Sequence, residues 1–221
     1  MPTELTPRDL LIDGLVADLR PVQPRRWTRD ALLIVALILV EIPLLIALRG
    51  MRPDMPAAMG EMAFWWKLAA LASFAGLSGA ALLVSLDPAV TNGPRLARLW
   101  RALAIVVPVA LGLGWLIDAA TRGPSLTARL DWREGVDCLI SIFLLSLPMI
   151  AALVVLMRRG APTRPEQTAL AAGLAAAGFG AFIFGFHCSH DDPLYVAVWY
   201  GGAVLVVALL SRWLLPRLVR W

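Results

Sequence analysis

The sequence predicts an all-α, polytopic membrane protein with six transmembrane helices, and three observations carry that prediction. Of 221 residues, 59% are hydrophobic and only 16% charged, against roughly 45–50% and 25% in soluble domains. Mean hydropathy is +0.74. Six apolar runs follow one another, each close to the roughly 20 residues that carry a helix across a hydrocarbon core. So much of the chain is spent in these runs that no large catalytic domain fits outside the bilayer, and the chain is not expected to be an enzyme.

In order, the runs are Ala31–Leu48, Phe64–Leu86, Ala102–Ala120, Cys138–Met157, Thr168–Phe186 and Leu194–Leu215. Backbone N–H and C=O groups have no water partners in lipid, so each run should be helical. Pro43, Pro108 and Pro148 fall inside runs, where a proline kinks a helix rather than ending it. The fifth run repeats small residues every four positions (Ala169, Gly173, Ala177, Ala181, Gly185), and the second has a shorter series at Ala72, Gly76 and Ala80. Such faces let helix backbones approach closely, within one chain or between two copies.

Basic residues set the orientation. Fourteen of the 20 Lys and Arg residues fall on one side if the N-terminus is cytoplasmic: Arg8, Arg20, Arg25, Arg26 and Arg29, then Arg95, Arg98 and Arg101, then Arg158, Arg159 and Arg164, and finally Arg212, Arg217 and Arg220. That bias predicts that both termini are cytoplasmic. The +4 net charge therefore reflects topology, and no direct nucleic-acid contact is expected. All nine tryptophans lie at or near run ends, as interfacial aromatic belts require. The apolar run nearest the N-terminus starts too late and is too long for a cleavable signal.

Two units follow: residues 1–28 as a cytoplasmic segment and 29–221 as the six-helix membrane domain. In the first, Thr6, Pro7 and Asp9 suit a helix start, and Pro21 and Pro24 a stop. Leu11, Ile12, Leu15, Val16 and Leu19 share one face, with Asp9 and Asp13 opposite. So short an amphipathic helix is marginal alone. Its acidic polar face suits a protein partner better than anionic lipid.

The stretch Phe186-His187-Cys188-Ser189-His190-Asp191-Asp192-Pro193 holds both histidines and one of the two cysteines. Cys138, at the start of the fourth run, lies at the same outer membrane level. Three chemistries fit. The cysteines could form a disulfide if the fourth and fifth helices pack together. They could hold a soft metal ion with help from His187 and His190. They could also be reactive thiols tuned by a histidine, while Asp191 and Asp192 support the site or begin the next helix. Glu41, inside the first run, is expensive there unless it faces the bundle or is neutral. It leaves a small transporter or channel as an alternative reading, and the thiols leave a membrane thiol redox protein. Asp118 lies near Arg122 and Arg133 as an interfacial pair.

The same stretch, continued by Leu194-Tyr195 and by Trp199-Tyr200, resembles the NrsF-type negative regulators of sigma-F-like factors, as do the Asp-Leu-Leu at Asp9–Leu11, the six spans and the paired cysteines. The resemblance implies a membrane anti-sigma factor of the bacterial inner membrane. In that family picture the N-terminal segment holds an extracytoplasmic-function sigma factor away from RNA polymerase. Cys138 and Cys188 match paired periplasmic cysteines that sense heavy-metal or oxidative stress. No cofactor is implied beyond a heavy-metal ion held transiently at the cysteines.

Overall fold

A computed structural model of the chain describes residues 16, 26–87, 93–119, 129–160, 162 and 164–219. Its elements are α1 (Trp27–Arg49), α2 (Met55–Ala58), α3 (Met62–Ser85), α4 (Pro94–Ala119), α5 (Trp132–Gly160) and α6 (Pro165–Phe184). Then come α7 (Pro193–Tyr195), a π-helical turn (Val196–Tyr200) and α8 (Gly201–Leu218). The last three are continuous, so six helices are long and apolar enough to cross a membrane. There is no strand among the described residues. The chain is an all-α, multi-pass membrane protein.

Each helix starts ahead of its apolar run. α4 begins at Pro94 rather than Ala102, and α5 at Trp132 rather than Cys138. Hydropathy marks where lipid begins, whereas a helix continues into the headgroup region wherever its polar residues still favour helix. At the other end, α3 stops one residue short of the second run and α6 stops at Phe184, two short of the fifth, where the next residues cap its carbonyls, as Gly185 N–H donates to Ala181 and Cys188 N–H to Phe184. The proline positions hold, with Pro43, Pro108 and Pro148 all inside helices.

α6 is the centre of the bundle, packed by α3, α5 and α8. Its small residues make this possible. A methyl added at Gly173 would lie 2.6 Å from Ser211 of α8, and one at Gly180 would lie 2.9 Å from Ser146 of α5. The seam in the second run behaves differently: Ala72 and Gly76 are exposed, and nothing approaches Gly76 within 4 Å. α3 instead presents Leu71, Ala75, Ser78 and Leu82 to the core, because those positions meet the larger side chains of the neighbouring helices. Three buried serines satisfy themselves, as the Ser78, Ser85 and Ser146 hydroxyls donate to carbonyls of their own helices, whereas the buried Ser141 and Ser211 hydroxyls have no partner among the described residues. α1 and α4 are the least buried of the six.

Tryptophan placement matches the belt with one correction. Trp27, Trp65, Trp115, Trp132 and Trp213 are exposed, but Trp199 is buried. Its ring lies against Gly135 and meets Trp132 edge-on at 4.9 Å. Of the proposed N-terminal stripe only Val16 is described, and it is helical and exposed. Asp9, Leu11, Ile12, Asp13, Leu15 and Leu19 lie outside the described residues.

Candidate functional site

Three long helices finish or begin around the 185–192 loop: α1 ends beside it, α5 starts beside it, and α6 runs into it. Gly135 sets the distance between α5 and the last helix. A Cβ there would sit 2.0 Å from the Trp199 ring, so only glycine permits this packing. The Trp199 indole N–H donates to the Leu130 carbonyl at 2.9 Å, fixing the approach to α5. One turn on from Gly135, Cys138 is delivered to the interior. Asp192 begins the sixth span by capping it, accepting from the backbone N–H of Leu194 at 2.8 Å and of Tyr195 at 3.3 Å.

The structure brings the two cysteines together. Both are free and buried, 3% and 6% exposed, with sulfurs 3.6 Å apart. The Tyr195 hydroxyl contacts the Cys138 sulfur at 3.1 Å. The thiols form the inner wall of an open recess of about 420 Å³, whose rim carries Glu134, Asp137, His187, Ser189 and His190. The Cys188 thiol is held below the usual thiol range. Its hydrogen bond with Cys138 is the largest cause, and the Tyr200 hydroxyl and Lys67 ammonium help against the opposing effect of burial.

Both histidines line the recess, but neither forms a hydrogen bond with a thiol. His187 donates through Nδ1 to the Gly50 carbonyl at 2.8 Å. His190 pairs with Glu134 and stacks on Tyr195 with ring centroids 4.3 Å apart. They brace the loop against α1 and α5. Among the described residues, no group of three or more His, Cys, Asp and Glu side chains is arranged to hold a metal ion.

Beneath the loop is an ionic cluster that the sequence reading did not identify as a site. Asp191 is the common carboxylate of two buried cations, Arg52 at 2.7 Å and Lys67. The Lys67 side chain is fully buried and also donates to the carbonyls of Cys188 at 3.0 Å and His190 at 3.2 Å. Arg52 reaches the carbonyls of Cys188 and Ser189 and forms a fork with Asp54. The guanidinium holds the Asp54 carboxyl down to about 2. Lys67 lies inside the long helix α3, and a charge within an apolar helix was the available signal. Arg52 carried no such signal, because a loop arginine is ordinarily solvated.

Asp192 is tied by Arg129, whose Nε lies 2.7 Å from its carboxylate. Burial raises the Asp192 pKa, but Arg129 and the two capping N–H groups outweigh it and hold the carboxyl below its usual value. Arg129 also pairs with Asp118 at 2.6 Å; Arg122, one of the two partners expected for Asp118, lies outside the described residues. Glu41 is buried, and neither carboxylate oxygen has a partner among the described residues.

The model of a protein family described as "Negative regulator of sigma F", NrsF, matches residues 15–221. An anti-sigma-F factor NrsF of Caulobacter vibrioides is 32% identical over 222 residues, covering 96% of this chain and 99% of that protein. A probable anti-sigma-F factor NrsF of Azospira oryzae is 31% identical over 183 residues, covering 80% and 82%. No solved structure matches. The six-helix architecture, the matched length and the identity to both relatives agree: this chain belongs to the NrsF family of negative regulators of sigma F.

Proposed function

We propose that this chain is an inner-membrane anti-sigma factor that captures an extracytoplasmic-function sigma factor through residues 1–28 and releases it when Cys138 and Cys188 react. The anti-sigma role follows the family and the names of both relatives. The observation that carries the sensing role is the contact of two free thiols at 3.6 Å in the wall of an open recess. With both termini cytoplasmic, as the arginine bias predicts, that recess opens to the periplasm.

Closing the pair removes two protons and two electrons. A hydroperoxide can accept them: its O–O bond breaks, giving an alcohol and water, as the S–S bond forms. A thiophilic metal ion is the second stimulus class, held by the two sulfurs after they lose their protons. A stimulus shifts the bound state only through its different affinity for the two arrangements of the site.

Two substitutions test the parts separately. Leu11→Asp or Leu15→Asp is expected to abolish sigma-factor capture in a pull-down, and undiminished binding would remove the N-terminal segment from the account. Replacing both cysteines with serine is expected to hold the sigma factor under oxidant or heavy metal. Persistent induction in that double variant would end the thiol-sensor role.

A further inference from the structure

α1 is the helix that connects residues 1–26 to the loop end of the bundle, and it is held in an uneven way. Its buried residues are Asp30, Ile34, Glu41 and Leu45, a single stripe. Between residues 31 and 48 no side-chain hydrogen bond or ion pair joins it to the other described helices, and the Glu41 carboxylate has no partner among the described residues. Along this length its packing is apolar.

Its far end is different. Arg49 reaches Asp137 at 3.1 Å, and Asp137 immediately precedes Cys138 on α5. Gly50 then turns the chain with φ +83, a region that favours glycine, and its carbonyl receives His187. Arg52, now directed inward and 3% exposed, donates through its backbone N–H to the Phe186 carbonyl at 3.3 Å. Its guanidinium binds Asp191 and the carbonyls of Cys188 and Ser189. One arginine therefore grips the Cys138 side of the thiol pair and the other the Cys188 side.

We infer that α1 is the output arm of the thiol site, clamped by Arg49 and Arg52 to its two halves, so that a change in the Cys138–Cys188 gap is delivered to the helix whose other end carries residues 1–26. This rests on the proposed anti-sigma reading and names the path by which it operates. Bond formation shortens the sulfur contact from 3.6 Å to about 2.05 Å. The loop and the start of α5 then approach each other. A helix end attached to both has to rotate or slide, and the packing between residues 31 and 48 lets that length do so without breaking polar contacts, while Asp30 at the start of the helix has a partner of its own. Helices transmit such shifts as stiff units.

The test uses the full chain in lipid nanodiscs, reduced or treated with diamide, which takes up the two protons and two electrons and becomes the hydrazine. Alkylation and intact mass record disulfide formation, amide hydrogen exchange reads each helix, and retained sigma factor is measured in parallel. In the wild type, oxidation is expected to change exchange in residues 27–36 by about five-fold or more. Arg49→Gln combined with Arg52→Gln, compared with the wild type at equal disulfide content, is expected to lose that change and to keep the sigma factor bound. Arg49→Gln alone breaks only a half-exposed pair, so it folds, and it is expected to reduce the change about two-fold or more. Arg49→Asp with Asp137→Arg restores it.

Exchange that changes in residues 165–184 and not in 27–49 would overturn the inference, as would an undiminished α1 response in the arginine variants. If oxidation moves α1 in the wild type and the sigma factor stays bound, the arm stands and the sigma-release reading falls. If the sigma factor leaves while α1 is unchanged, the arm falls and the release reading stands.

Discussion

Arg52 and Asp191 form a 2.7 Å ion pair with side chains 2% and 8% exposed, and Lys67 meets the same carboxylate from α3. Two cations and one carboxylate withdrawn from water are tolerable only because Asp54 gives Arg52 a second counter-ion and both cations donate to carbonyls of the cysteine loop. Asp191→Ala leaves two buried cations without their shared counter-ion. It is expected to lower stability by about 3–5 kcal/mol, read as thermal unfolding in detergent. A midpoint equal to that of the wild type would mean that the cluster is already hydrated.

Gly135 and Trp199 set the position of Cys138. Gly135→Ala places a methyl where the indole ring lies. It is expected to destabilise by about 1–3 kcal/mol through overpacking and to slow diamide-driven closure of the cysteine pair. Unchanged stability together with an unchanged closure rate would show that the helix interface yields without moving the thiol.

Much of this architecture was legible in the sequence. An apolar run of membrane-crossing length reports a helix whether it faces lipid or, like α6, other helices, so the six helices are legible with only their ends misplaced. The common level of Cys138 and Cys188 followed from counting spans. What the sequence concealed is pairing through space. Lys67 is visible as a charge inside the second run, but its partners are not until α3 and the 185–192 loop are brought together, and Arg49 and Arg52 read as headgroup arginines until their partners on α5 and the loop are in place. Trp199 resembles the other interfacial tryptophans because hydropathy carries no information about the glycine opposite it. Small-residue seams are equally ambiguous: the one in α6 is packed and the one at Ala72 and Gly76 is open, although both have the same spacing.

Asp192 gives a pH dependence with a defined sign. Its carboxyl is held below the usual carboxylate value by Arg129 and the capping N–H groups, against burial. A depressed folded-state pKa contributes stability that is fully present above the unfolded value of about 3.9 and is lost as pH falls through the folded value. Thermal midpoints measured from pH 7 downward should therefore show Asp192→Asn less stable than the wild type at neutral pH, with the gap narrowing below about pH 4. A gap that widens on acidification contradicts this assignment.

Glu41 carries two buried carboxylate oxygens without partners among the described residues, so its polar group makes no compensating bond there. Glu41→Leu is expected to match or exceed wild-type stability, by up to about 1–3 kcal/mol. A clear loss of stability in this variant would point to a partner for the carboxyl.

The most direct measurement of the central claim is sigma-factor retention by the reconstituted full chain as a function of Cys138–Cys188 oxidation, with both quantities taken from one sample. The account predicts that the reduced protein retains the sigma factor and that retention falls in proportion to disulfide formed. It also predicts that reduction restores capture and that the double serine variant is indifferent to oxidant. Full disulfide formation with the sigma factor still bound would contradict it.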